Sequence, residues 1–87
     1  MKLKNVKFGT KCVLKSEQGY VGFHAGTEVT IHVTKQTPSG NIGVITVGDH
    51  GHHFLGVLNP KYIPPIPKGY TGLWVKPEEL KRVKDSK

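Results

Sequence analysis

Acidic residues are scarce in this chain: 6 Asp and Glu stand against 13 Lys and Arg, for a formal net charge of +7. The few acids are scattered, so no carboxylate pair is placed for general acid–base catalysis. Arginine is scarcer still, since Arg82 is the only one among the 13 cations. Bidentate reading of base edges is the work of arginine, so any contact with nucleic acid is expected to run through the backbone. Cysteine occurs once, at Cys12, which rules out an internal disulfide and favours a reducing compartment. Long apolar runs are missing as well. The longest are four or five residues, such as 54–58 with a glycine inside, far short of a transmembrane helix. The lysine-rich start lacks the apolar stretch of a signal peptide, so the expected location is cytoplasmic, with no membrane partner. Ser16, Ser39 and Ser86 fall in turns or tails, no Gly-x-Ser-x-Gly occurs, and no glycine loop leads from a strand into a helix. The expectation is a protein that is not an enzyme, with no cofactor and no small-molecule substrate.

The chain does have punctuation. Its 11 glycines and 6 prolines are too many for a helical protein of 87 residues, and short β-type runs lie between them. In residues 11–17, Cys12 and Leu14 point one way and Lys11, Val13 and Lys15 the other. Residues 27–34 alternate most clearly: Val29, Ile31 and Val33 form one face, Glu28, Thr30, His32 and Thr34 the other. Thr37-Pro38-Ser39-Gly40 is a turn signal, and residues 42–47 are apolar on both faces, as a central strand would be. After a turn at 48–51, residues 52–58 are expected to form a strand. A proline-rich loop follows at 59–72, and a further strand begins at Leu73. Pro77-Glu78-Glu79-Leu80 reads as one helical turn, with proline at its first position and acids at its positive end, before a last short strand at 81–83. The length fits one domain, residues 1–87, and the pattern predicts an all-β fold: a small five-stranded barrel with one 3-10 or short helical turn near the C-terminus.

Two segments resemble the SH3-like barrel family. Phe23-His24-Ala25-Gly26-Thr27-Glu28-Val29-Thr30-Ile31 is similar to that family's aromatic, loop, glycine and alternating strand. Residues 71–83, Thr71-Gly72-Leu73-Trp74-Val75-Lys76-Pro77-Glu78-Glu79-Leu80-Lys81-Arg82-Val83, are similar to its ending, in which a strand leads through a 3-10 turn into a closing strand. The resemblance implies the architecture. It does not extend to polyproline-peptide binding, because Cys12-Val13-Leu14 and Asn41-Ile42-Gly43 stand where peptide-binding members carry groove aromatics.

All the excess charge sits at the two ends. Residues 1–16 carry Lys2, Lys4, Lys7, Lys11 and Lys15 without an acid. Residues 17–75 balance, and 76–87 carry a surplus that includes Lys81, Arg82 and Lys84. If the first and last strands are neighbours, these lysines merge into one cationic surface that attracts phosphates. The alternative is a solvated charged face. Within the loop, Lys61, Tyr62, Lys68 and Tyr70 extend the candidate surface, with the tyrosines placed to stack on unpaired bases. Ile63 and Ile66 either project with them or fold back over the core. His50, His52 and His53 are weak metal candidates, lacking any Cys-x-x-Cys or His-Glu-x-x-His partner set. The functional expectation is a binding module for nucleic acid or another acidic macromolecule. The alternative is a protein-interaction or inhibitory module that docks on a larger protein through the Pro/Tyr loop.

Overall fold

The computed structural model describes residues 6–20, 22–48, 54 and 58–83. Five antiparallel strands form one sheet: β1 (Lys11–Leu14), β2 (Glu28–Val33), β3 (Ile42–Val47), β4 (Tyr70–Val75) and β5 (Leu80–Arg82), in the order β4-β3-β2-β1-β5. The all-β class and the lone 3-10 turn before the last strand, Pro77–Glu79, stand as read from the sequence. The sheet is not closed into a barrel. The chain passes from β4 to β5 through Lys76 and that single turn, which carries β5 onto β1 and leaves β4 and β5 as the two ends of the sheet.

Alternation sets one buried face. Cys12, Leu14, Val29, Ile31, Ile42, Val44, Val75 and Leu80 pack around Phe23, so the curled sheet encloses them from all five strands. The other face of the sheet is covered too. Val33, Ile45 and Phe54 form a second apolar cluster, against which Leu58, Ile63, Ile66, Tyr70 and Trp74 pack. The proline-rich segment therefore folds back as a strap over the sheet, with Ile63 and Ile66 turned inward. This double coverage is why β3 is apolar on both faces, with only Val47 of its six residues exposed.

Three expectations need correction. Of the strand expected at 52–58, only Phe54 and Leu58 are described, and neither lies in a strand. The antiparallel partner of β3 is instead 70–75, in register from Ile42↔Val75 to Val47↔Tyr70. That strand begins at Tyr70 rather than Leu73, so the proline-rich loop ends at Gly69. Finally, Val33 does not share a face with Val29 and Ile31. The pairing with β3 shifts between Ile31 and Val33, which lie opposite the consecutive residues Val44 and Gly43. His32 is the extra residue of this bulge, and the phase change sends Val33 into the second cluster and buries His32.

Candidate nucleic-acid interface

The register of β1 with β5 places the described head and tail of the chain side by side: Cys12 opposite Arg82, Val13 opposite Lys81, Leu14 opposite Leu80. Two backbone bonds extend the pairing at its ends, Val83 N–H to the Lys11 carbonyl at 3.1 Å and Lys15 N–H to the Glu79 carbonyl at 2.8 Å. Cys12, Leu14 and Leu80 are taken by the core, so the alternate residues Lys11, Lys15 and Lys81 are left exposed; Arg82, opposite Cys12 at the end of β5, is exposed as well, and Val13 and Val83 are half-buried among them. A cleft of about 390 Å³ is lined by Val13, Lys81, Arg82 and Val83, and a second adjoins it along Gly9, Thr10 and Lys11. Burial pushes the Cys12 thiol above its ordinary value, against the opposing pull of the Arg82 guanidinium, so this cysteine is a neutral core group rather than a nucleophile.

A second cationic group lies at the strap. Tyr62 ends the short 3-10 turn Pro60–Tyr62, which Asn59 holds: its side-chain oxygen accepts from Lys61 N–H and its carbonyl from Tyr62 N–H, both at 3.0 Å. The Lys35 and Lys61 ammonium groups sit 5.3 and 5.1 Å from the centre of the Tyr62 ring, within cation–π range. Tyr62 remains 41% exposed. Tyr70 is different: it is half-buried against the second cluster and does not present its ring as Tyr62 does. Lys68 is exposed in the turn before β4, and Lys7 is exposed at the head, where its carbonyl accepts from Thr10 N–H at 3.1 Å. Lys2, Lys4, Lys84 and the histidines His50, His52 and His53 lie outside the described residues.

One residue of this surface escaped the sequence reading. Phe8 is 64% exposed, and its ring centre lies 5.5 Å from that of the buried His32. His32 in turn donates from Nε2 to the Pro64 carbonyl at 2.7 Å and stacks on Phe54 at 5.9 Å. The signal was an aromatic between Lys7 and Gly9, in a stretch weighed only for its charge.

Two of the four described acids have side-chain partners. Glu17 pairs with His24 Nδ1 at 2.8 Å, and Glu79 accepts from the Ser16 hydroxyl. Among the described residues this His24–Glu17 contact is the one between a basic side chain and a carboxylate, so none of their lysines, nor Arg82, has a carboxylate partner. Adjoining Lys15 lies a polar groove lined by Ser16, Glu17, Asn41, Trp74, Lys76 and Glu79. In its wall, Trp74 Nε1 and Asn41 Oδ1 are buried without a hydrogen-bond partner among the described residues. Also among the described residues, no helix is long and apolar enough to cross a membrane, and no three His, Cys, Asp or Glu side chains gather. Compared with known proteins, the chain matches no family model, no curated protein and no solved structure.

Proposed function

We propose that this protein is an SH3-like binding module that holds nucleic acid by its phosphate backbone. The five-stranded antiparallel sheet and the 3-10 turn before its last strand are compatible with that architecture. The observation that carries the functional reading is the β1/β5 register. It gathers Lys11, Lys15, Lys81 and Arg82 around one pair of strands, with Glu28, opposite Val13, as the one acid on that face, while Glu17 and Glu79 are held by His24 and Ser16. Cations left without counter-charges bind a polyanion by releasing its condensed counterions. Lysine, a mobile point charge, suits contacts that need no fixed geometry, so the reading implies weak sequence preference.

The test is a binding titration across ionic strength. Affinity for an oligonucleotide should fall steeply between about 50 and 200 mM salt, and the log–log slope should shrink by about 0.7–0.9 for each phosphate contact removed. Replacing Lys11, Lys81 and Arg82 together with glutamine should remove most of the binding. Affinity indifferent to both salt and this triple change defeats the proposal.

A protein-docking reading draws on a different place. The strap turns Ile63 and Ile66 inward, which leaves the Pro/Tyr loop little apolar surface to offer. The groove at Trp74 and Asn41 has the unmet hydrogen-bonding capacity that a docked chain would use. A stoichiometric partner that survives nuclease and high salt, and is lost on Trp74→Phe, would favour it.

A further inference from the structure

We infer that the nucleic acid taken is single-stranded, with Phe8 and Tyr62 as the platforms on which its bases stack; this rests on the reading just proposed. Phosphate contacts alone do not distinguish a duplex from a single strand. Exposed aromatic rings do, because the faces of bases are free only where the strand is unpaired. Phe8 shows 64% of its surface to solvent, yet it is not a loose side chain. Its inner side rests on His32, which is buried, held by the Pro64 carbonyl and backed by the Phe54 ring. A ring fixed on one side and open on the other loses little freedom when a base covers it.

Tyr62 lies two residues before Pro64, so its Cα is within about 7 Å of the residue that anchors His32. Phe8 and the short turn that carries Tyr62 thus both lead to a single contact between strap and sheet. Cations interleave with them. Lys7 adjoins Phe8 in the chain, and Thr10, whose N–H bonds back to the Lys7 carbonyl, leads directly into Lys11, which is bonded to the β5 end at Val83. Lys35 and Lys61 sit at Tyr62 itself. A base arriving at the Tyr62 ring displaces an ammonium from it, and the freed lysine is then beside the phosphate that came with that base. Alternating cation and aromatic along a path without ion-paired lysines is the chemistry of a single-strand track. A protein partner could also cover Phe8, but it would leave five cations (Lys7, Lys11, Lys35, Lys61 and Arg82) to be matched by acids.

The experiment compares single-stranded DNA, single-stranded RNA and duplex DNA of equal length, roughly 12 nucleotides to suit a site of this kind, at two salt concentrations. Either single strand should bind at least about fivefold tighter than duplex, since one stacked base is worth that much or more. Phe8→Ala and Tyr62→Ala should each weaken single-strand binding by about 5- to 150-fold with the salt slope unchanged, while Tyr62→Phe retains it. Phe8 is mostly solvent-facing, and a thermal melt of each variant confirms that the fold is kept. Equal affinity for duplex together with a neutral Phe8→Ala overturns the stacking inference and leaves the polyanion reading standing. No binding of any oligonucleotide at low salt overturns both. So does a protein partner whose capture depends on Phe8 when no oligonucleotide binds.

Discussion

Phe54 occupies space that two glycines leave open. A Cβ built on Gly72 would stand 2.7–3.0 Å from three atoms of its ring, and one on Gly43 would meet the same ring at 2.9 Å and Val33 at 2.8 Å. Neither glycine is needed for an unusual backbone angle; each is needed because the ring lies directly on the strand. Gly72→Ala and Gly43→Ala should therefore each cost about 1–3 kcal/mol through overpacking. Gly43→Ala should be the worse, because Val33 meets it through its own Cβ, which cannot swing aside. Urea unfolding of the two variants measures this, and a loss below about 0.5 kcal/mol, as for an ordinary surface change, would mean the ring is not seated there. Cys12 gives a second prediction at this scale. Burial holds its proton to higher pH in the folded protein than in the unfolded chain, where it leaves near 9.0. The resulting contribution to stability is complete below pH 9 and is lost as the pH climbs past that value. Wild-type stability should thus fall relative to Cys12→Ala over the first pH unit above 9; parallel curves would show a thiol open to water.

The elements differ in how much of them the sequence displays. β1, β2, β3 and β5 and the turn at Pro77 were legible because alternation, glycine and proline are local signals, and each of these elements is decided by its own residues. The strap was not. Residues 52–58 carry enough apolar character to read as a strand, and nothing local says that Phe54 instead lies across Gly43 and Gly72, far along the chain in one case. Within β2 the bulge at His32 was invisible for a similar reason: a shift of phase is a property of the pairing with β3, not of the alternating letters. Of the candidate surface, the exposed lysines could be read from charge alone. Tyr70 and Phe8 exchanged roles, because exposure of an aromatic depends on which face the strap covers. The bulge also makes the strap testable. His32 Nε2 is a polar tie between sheet and strap, and truncating it leaves the Pro64 carbonyl without its donor. His32→Ala should cost about 1–3 kcal/mol and open the chain around 59–67 to limited proteolysis before the sheet unfolds. Cleavage rates equal to wild type in that segment would show that Ile63 and Ile66 hold the strap unaided.

At the scale of the whole molecule the same charges act twice, with opposite signs. Net charge is +7, and among the described residues the lysines and Arg82 have no carboxylate partner. In the free protein these cations repel one another, among them Lys11, Lys15, Lys81 and Arg82 gathered on β1 and β5. Added salt screens that repulsion, with a Debye length that shrinks from about 30 Å at 0.01 M to about 10 Å at 0.1 M. The protein alone should therefore become more stable as salt rises over this range, while the proposed affinity for nucleic acid should fall. Neutralising Lys81, whose side chain projects outward opposite Val13, should reproduce both effects without salt: Lys81→Gln melts at the same temperature as wild type or slightly higher, and binds less tightly. A cation kept for folding would behave the other way, its loss lowering the melting temperature and leaving binding alone. Thermal melts and titrations of Lys81→Gln at two ionic strengths separate the cases. A lower melting temperature with unchanged affinity would mean that the β5 cations serve the sheet and not a partner.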